Sequence, residues 1–358
     1  MHVVLMAGGV GTRFWPRSRK NYPKQLLNLF GDRSMIRLTY ERVQDLTADE
    51  NILIITNQEL KDPIHRQIPE IPEENIIAEP FGKNTAPCIG LAAAIVRKKA
   101  SLEEPMVILP ADHLIKETDV FHDVIKTAVQ YAKHNDALVT LGITPAYPET
   151  GYGYIQRGEA VTKINNRTIY KVKTFAEKPN LETAQLFLKS GDFLWNSGMF
   201  IWKTGTILNE FGKHQPEMAE GFERIYRNLD TDKMEETIID VYMRIKSISI
   251  DYAIMEVARS VYIIEADFTW NDVGSWEAAY AISDKDEKQN AITAAKSVVI
   301  DSKNNLIYSP GKLVALIDVE NLAIVETDDA ILICRKDSSQ RVKEVVDTLK
   351  QKKLDQYL

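Results

Sequence analysis

Apolar residues fall in short unbroken runs along the first half of the chain, at 3–7, 52–55, 76–78, 106–109 and 137–141. Runs this short and this continuous read as strands covered on both faces. Between them the apolar positions change to helical spacing. The stretch 34–46 carries Ile36, Tyr40, Val43 and Leu46 behind Ser34, which is placed to cap it. Further helices are predicted near 59–67, from Asn84 or Thr85 with Pro87 in the first turn, and near 120–134. This alternation predicts an α/β fold with a parallel or mostly parallel sheet flanked by helices.

The texture changes at Gly151. GYGYI and residues 170–175 alternate as antiparallel strands do, and predict a lid or substrate subdomain. A strand at 195–202, a largely helical region over 204–257 and a strand at 261–266 follow, ahead of Trp270-Asn271-Asp272. The polar segment SDKDEKQN reads as a linker and predicts a first domain of residues 1–285 and a second of 286–358. The second contains short strand runs at 297–300, 313–317, 322–325 and 330–334. It ends in an amphipathic helix carrying Val342, Val345, Val346 and Leu349, and shows no strict repeat.

Composition narrows the function classes. With 358 residues, 44% hydrophobic and 27% charged, the chain has the make-up of a globular protein of about two domains. No segment approaches the roughly 18 apolar residues of a membrane span. A net charge of −7 argues against a nucleic-acid surface, though not against nucleotides. Because the second residue already enters the first strand, with no apolar leader ahead of it, the cytoplasm is the expected compartment. Cys88 and Cys334 lie in apolar surroundings and are expected to be buried thiols.

The candidate chemistry starts where the first strand ends. Gly8, Gly9 and Gly11 fall within four positions, followed by Thr12 and Arg13, with Lys24 behind Pro23. Glycines leave backbone N–H groups bare, and two cations beside them favour an anion such as phosphate; a plain tight turn is the other reading. The loop is neither of two common phosphate loops. Gly11 is not followed by Lys-Ser/Thr, and Phe14 stands where a dinucleotide fingerprint needs its third glycine. Asp112, directly after a strand, either caps the next helix or holds a metal. Asp272 stands in a similar place, and two such carboxylates suit a magnesium ion that keeps most of its shell for water and phosphate oxygens. Glu177-Lys178 before Pro179 is either a solvated ion pair or, with Asn196, a reader of sugar hydroxyls and phosphate.

Residues 5–27 together with PADH, GYGYI, FAEKP, WNSGMF and WNDVGSW, in that order, closely resemble the sugar nucleotidyltransferases, specifically the mannose-1-phosphate guanylyltransferases (GDP-mannose pyrophosphorylases). KNTAP and ENLAIVETDDAILICRK are similar to the guanylyl branch, and the resemblance covers nearly the whole chain. It implies a Rossmann-like fold with a C-terminal module resembling a short left-handed β-helix, which in the family can take part in homodimer contacts. The implied reaction joins GTP and mannose 1-phosphate into GDP-mannose and pyrophosphate. Ala7, Gly8, Gly9, Gly11 and Thr12, with Asn84 and Thr85, would hold the nucleotide, while Arg13 and Lys24 would neutralise charge at the α-phosphorus. Asp112 and Asp272 would hold magnesium. Gly151, Glu177 and Asn196 would line the sugar site, with Lys178 on its phosphate.

Glu79 is the candidate reader of guanine, since a carboxylate accepts both N1–H and N2–H₂; an ordinary surface glutamate is the other reading. Arg17 departs from the family, where many relatives carry an apolar residue. The chain stops at Leu358, short of the isomerase domain of longer relatives, so transferase activity alone is implied. The rival readings are a guanylyltransferase for glucose or manno-heptose 1-phosphate, and a non-catalytic nucleotide-sugar sensor. The presence of Arg13, Lys24, Asp112 and Asp272 argues against the sensor.

Overall fold

A computed structural model describes residues 1–9 and 11–358. A nine-stranded sheet organises the first 270 or so residues, in the spatial order β3 (Ile76–Glu79), β2 (Ile52–Asn57), β1 (His2–Met6), β4 (Pro105–Pro110), β9 (Phe193–Lys203), β6 (Leu138–Ile143), β10 (Val261–Ala266), β8 (Arg167–Glu177) and β7 (Gly153–Ile164). Seven of these strands run one way; β8 and β9 run against them. The sheet is thus mixed, with parallel strands in the majority.

The continuous apolar runs have the expected cause. Val3 and Leu5 of β1 pack into one core, and Val4 packs into another on the opposite face. The first core takes its helical side from α1 (Met35–Val43), α2 (Lys61–Gln67) and α4 (Thr118–His134), the second from α3 (Thr85–Lys99), α6 (Thr204–His214), α7 (Pro216–Asn228) and α8 (Met234–Arg244). With both faces covered, no position along β1 can be polar without a partner. Ser34 caps α1 by accepting from the N–H of Arg37 at 3.3 Å.

One expectation changes. The β7–β8 hairpin is antiparallel, as its alternation indicates, but it is the edge of the main sheet and not a separate subdomain: β8 pairs with β10, and β7 closes back onto β9. Alternation reports only that one face is less covered, which an edge hairpin satisfies as well as a lid does.

After α9 (Trp276–Ile282), β12 (Ala291–Ile300), β13 (Leu306–Ile317) and β14 (Leu322–Glu326) stack in parallel, and β15 (Ile331–Arg335) returns antiparallel before α10 (Val342–Gln351). The parallel strands form successive coils, yet the register mates Ala291, Leu306 and Ala323 are separated by 15 and then 17 residues, so no strict repeat is visible in the sequence. Buried Asn290 and Asn305 tie the coils together: Asn290 Oδ1 accepts from the Asn305 backbone at 3.0 Å, and Asn305 Oδ1 from Leu322 at 2.9 Å. Cys88 is buried as expected, whereas Cys334, on the outermost strand β15, is half-exposed.

This module packs against the glycine loop. Phe14, Trp15, Leu27, Val273 and Trp276 share one core with Leu306, Val325, Leu332 and Val346. The Trp15 indole N–H donates to the carbonyl of Tyr357 at 2.8 Å, and Arg19 pairs with Asp329 at 2.6 Å. Arg17 lays its guanidinium 3.8 Å from the Tyr308 ring centroid and donates to the Asn28 carbonyl at 3.1 Å, and so makes a contact between loop and module.

Candidate active site

β1 is flanked by β2 on one side and β4 on the other, so the chain reverses its direction of travel across the sheet at this strand. Ligands bind outside the carboxyl ends of strands at such a point. A cavity of about 510 Å³ opens there, lined by Ala7, Gly8 and Gly9 after β1, Glu79 at the end of β3, Asn84 and Thr85 at the start of α3, and Asp112 after β4. Seven of the residues singled out by sequence thus converge on one cavity.

The loop is shaped by partners behind it. The Ala7 carbonyl accepts from Gln25 Nε2 at 2.8 Å and from Thr56 Oγ1 at 3.0 Å, which turns the chain away from the sheet and leaves Gly8 and Gly9 exposed. Only Gly11 of the three loop glycines takes a left-handed φ, +63°; a Cβ there would lie 2.5 Å from Lys24 Cβ. Val10, within the expected cradle of residues 8–12, lies outside the described residues. Thr12 begins a 3₁₀ turn, and Arg13 in that turn is exposed, with no hydrogen bond or ion pair among the described residues.

Lys24 is 5% exposed. Its ammonium lies 2.9 Å from Asp112 Oδ2 and donates to the carbonyl of Asp272 at 2.5 Å. Burial pushes the Asp112 carboxyl up, but the Lys24 ammonium, His113 and hydrogen bonds outweigh it and hold the group below the usual carboxylate range. Asp112 therefore stays charged. It caps no helix, since α4 starts only at Thr118, behind Glu117. Asp272 Oδ1 accepts from the Tyr152 hydroxyl at 2.7 Å; burial and that carboxylate push the Tyr152 phenol far up and keep it neutral.

The Asp112 carboxylate and the Asp272 backbone carbonyl meet at that ammonium, and the Asp272 side chain is carried on the same turn; oxygen donors of this kind suit a hard divalent ion. No cluster of three or more His, Cys, Asp or Glu side chains forms a closed metal cage among the described residues. Asp112 and Asp272 are the residues that could hold a magnesium ion, which would take the rest of its shell from water and phosphate oxygens.

Glu79 is buried, not an ordinary surface glutamate. Its Oε1 accepts from the Tyr242 hydroxyl at 2.9 Å, and Oε2 faces Gly8, whose Cβ would stand 3.5 Å away. Burial pushes its carboxyl up to about 7, against the opposing Tyr242 bond. Asn84 Oδ1 caps α3 through the N–H of Thr85 at 2.8 Å, and the Thr85 hydroxyl accepts from the backbone of Ile250 at 2.8 Å.

Glu177 and Asn196 come together around Gly153, where a Cβ would lie 2.3 Å from Glu177 Oε1 and 3.4 Å from Asn196 Cβ. Lys178 is largely exposed and pairs with Glu177 at 3.4 Å. Gly151 sits outside this contact, its N–H donating to Glu149 Oε1 at 2.7 Å. Tyr152, Gly153, Tyr242, Gln25 and Asp251 escape the sequence reading. Tyr152 and Gly153, within GYGYI, and Gln25, within residues 5–27, carried a signal; Tyr242 and Asp251 owe their positions to partners far along the chain.

The description "Nucleotidyl transferase" is that of a family model matching residues 2–289, and "MannoseP isomerase/GMP-like beta-helix domain" that of one matching 295–349. Mannose-1-phosphate guanylyltransferases of Klebsiella pneumoniae and Escherichia coli are each 42% identical to the chain over 99% of its length and 75% of theirs. A crystal structure described as a mannose-1-phosphate geranyltransferase from Thermus thermophilus is 30% identical and superposes with a TM-score of 0.88, covering 98% of this chain and 99% of that one. With both sequence and fold in agreement, the chain belongs to the nucleotidyltransferase family, in the branch of the mannose-1-phosphate guanylyltransferases.

Proposed function

We propose that the chain transfers the guanylyl group of GTP to mannose 1-phosphate, giving GDP-mannose and pyrophosphate. The observation that carries the reading is the buried Lys24 ammonium held between Asp112 and the Asp272 carbonyl beside the glycine loop. A phosphate monoester is largely dianionic near pH 7, its second pKa being about 6, so its oxygen attacks without a general base. A new oxygen–phosphorus bond forms at the α-phosphorus in line with the bond that breaks, and pyrophosphate leaves with that electron pair. No covalent intermediate on the enzyme is needed.

Lys24 is fixed before substrate arrives, and so offers positive charge to the reacting phosphates with little reorganisation. Backbone amides of Gly8 and Gly9 and the N-terminus of α3 face the same cavity and suit phosphate oxygens. Asp112 and Asp272 would hold magnesium, which when bound supplies charge neutralisation on the phosphates. Arg13, exposed in this structure, is proposed to reach the triphosphate from the loop. Glu79 is proposed to read guanine, and Glu177, Gly151 and Lys178 the sugar phosphate, with Asn196 in the same sugar site beside Glu177. No helix among the described residues is long and apolar enough to cross a membrane. The cytoplasm is the proposed compartment, in keeping with two free cysteines, and a homodimer the proposed assembly.

The test is pyrophosphate release with magnesium across GTP, ATP and UTP against mannose, glucose and galactose 1-phosphates. GTP with mannose 1-phosphate is expected to be the best pair, and chelation of the metal to stop turnover. No turnover with any pair overturns the reading; preference for another sugar favours the glucose or manno-heptose alternative.

A further inference from the structure

Asp251 lies outside every motif considered above, yet it lines the same cavity as the glycine loop and Asp112. It opens a π-helical turn, Asp251–Met255, that follows α8. Such turns are rare and gather at functional sites. The turn is pinned from the other side of the cavity by the Ile250–Thr85 hydrogen bond, so the carboxylate has a fixed base. Asn196 Nδ2 donates to Asp251 Oδ1 at 2.7 Å, while Asn196 Oδ1 accepts from the N–H of Gly198 at 3.1 Å. The amide of Asn196 is thereby committed at both ends. It is positioned to orient a carboxylate more than to bind a ligand itself.

Glu177 is the second carboxyl group of this corner. Burial raises its pKa first and the charge of Asp251 second, against the pull of Lys178. Burial also raises that of Asp251, against the Asn196 hydrogen bond and the Lys178 charge. Asp251 lines the cavity and Glu177 stands beside Asn196 at Gly153, so two half-buried carboxyl groups share one amide, with Ser249 and the exposed Lys178 ammonium as their other side-chain partners. A polyhydroxylated ligand supplies donors without adding charge.

We propose that Asp251 reads a hydroxyl of the sugar 1-phosphate, sharing the sugar with Glu177 while Asn196 fixes its carboxylate. This rests on the guanylyltransferase reading above. It makes Asp251 a substrate-binding residue and Asn196 a positioning residue, and it divides epimer selection between two carboxylates borne on β8 and on the π turn. A hydroxyl moved to the other face of the ring would lose its acceptor and leave a carboxylate oxygen unpaired, which is how a site built on hydrogen bonds rejects an epimer.

The test compares wild-type with Asp251→Asn and Asp251→Ser, using GTP with mannose 1-phosphate and its 2-, 3-, 4- and 6-deoxy analogues. Asp251→Asn should raise KM for mannose 1-phosphate at least about tenfold and leave KM for GTP within about twofold. One deoxy analogue should be poor for wild-type yet no poorer for the variant, because the hydroxyl and its acceptor are then both gone. An unchanged KM for mannose 1-phosphate overturns the proposal. So does an equal penalty on every analogue, or a raised magnesium requirement with a flat analogue profile, which would assign the carboxylates to a cation. Failure of both variants to bind GTP assigns Asp251 to the fold and overturns it too. Absence of wild-type turnover with mannose 1-phosphate is distinct, since it overturns the guanylyltransferase reading itself.

Discussion

Lys24 Nζ lies 2.9 Å from Asp112 Oδ2 and donates at the same time to the Asp272 carbonyl, so one buried ammonium joins two carboxylate-bearing turns that are distant in sequence. Removing that charge should be costly for chemistry. Lys24→Ala and Asp272→Asn are each expected to lower kcat at least about a hundredfold while the melting transition stays cooperative, as loss of a preorganised charge does. Pyrophosphate release measures it, and near-normal turnover in either variant would refute the assigned role.

Base selection should depend on Glu79 and on pH. Its carboxyl is pushed up to about 7, so the ionised form, the better acceptor for guanine N1–H and N2–H₂, grows as pH rises through that value. KM for GTP should fall between about pH 6 and pH 8. Glu79→Gln should flatten this profile and weaken the preference for GTP over ATP by roughly 1–3 kcal/mol. Stability runs the other way. A carboxyl raised above its ordinary 4.5 stabilises the fold at low pH and loses that contribution as pH rises through about 7. Thermal melts of wild-type and Glu79→Gln should therefore diverge between those two values.

Gly11 is the loop position least able to change. At φ +63°, with a Cβ that would lie 2.5 Å from Lys24 Cβ and 3.1 Å from its backbone nitrogen, Gly11→Ala must shift the lysine. Backbone strain alone costs roughly 1–2 kcal/mol. Activity should fall more than stability, a separation that kcat and melting temperature together would show; Gly212→Ala, on α6 with open space at its Cβ and away from the cavity, is the control.

Much of this architecture was legible because burial leaves a pattern. The strand runs at 52–55 and 106–109 were plain since both faces of β2 and β4 are covered, and Ser34 was readable as a cap because capping is local. What escaped depends on residues far apart. Nothing in the sequence says that β8 would pair with β10 rather than stand in a lid. Glu79 could be named, but not that Tyr242 would be beneath it; nor could Asp251 be linked to Asn196. The coils of the second module were hidden by their unequal spacing, and nothing at Arg17 pointed to Tyr308 as its partner.

The module should be felt at the active site. Leu332→Ala, in the core shared with Phe14 and Trp15, is expected to cost about 2–5 kcal/mol and to lower kcat as well. Trp15→Phe, which removes the donor to the Tyr357 carbonyl and part of a buried ring, should cost at least about 1 kcal/mol. Denaturant titration beside steady-state kinetics measures both; a Leu332→Ala enzyme with unaltered kcat would show that the core transmits nothing to the loop.

The indole of Trp15 and the guanidinium of Arg19 are fastened to residues more than 300 positions further along the chain. A nascent polypeptide therefore emerges with its substrate loop long before the surface that packs on the loop's flank has been made. The flank of the glycine loop is thus braced by a module made well after it, and a substitution in that module can reach the loop without touching substrate.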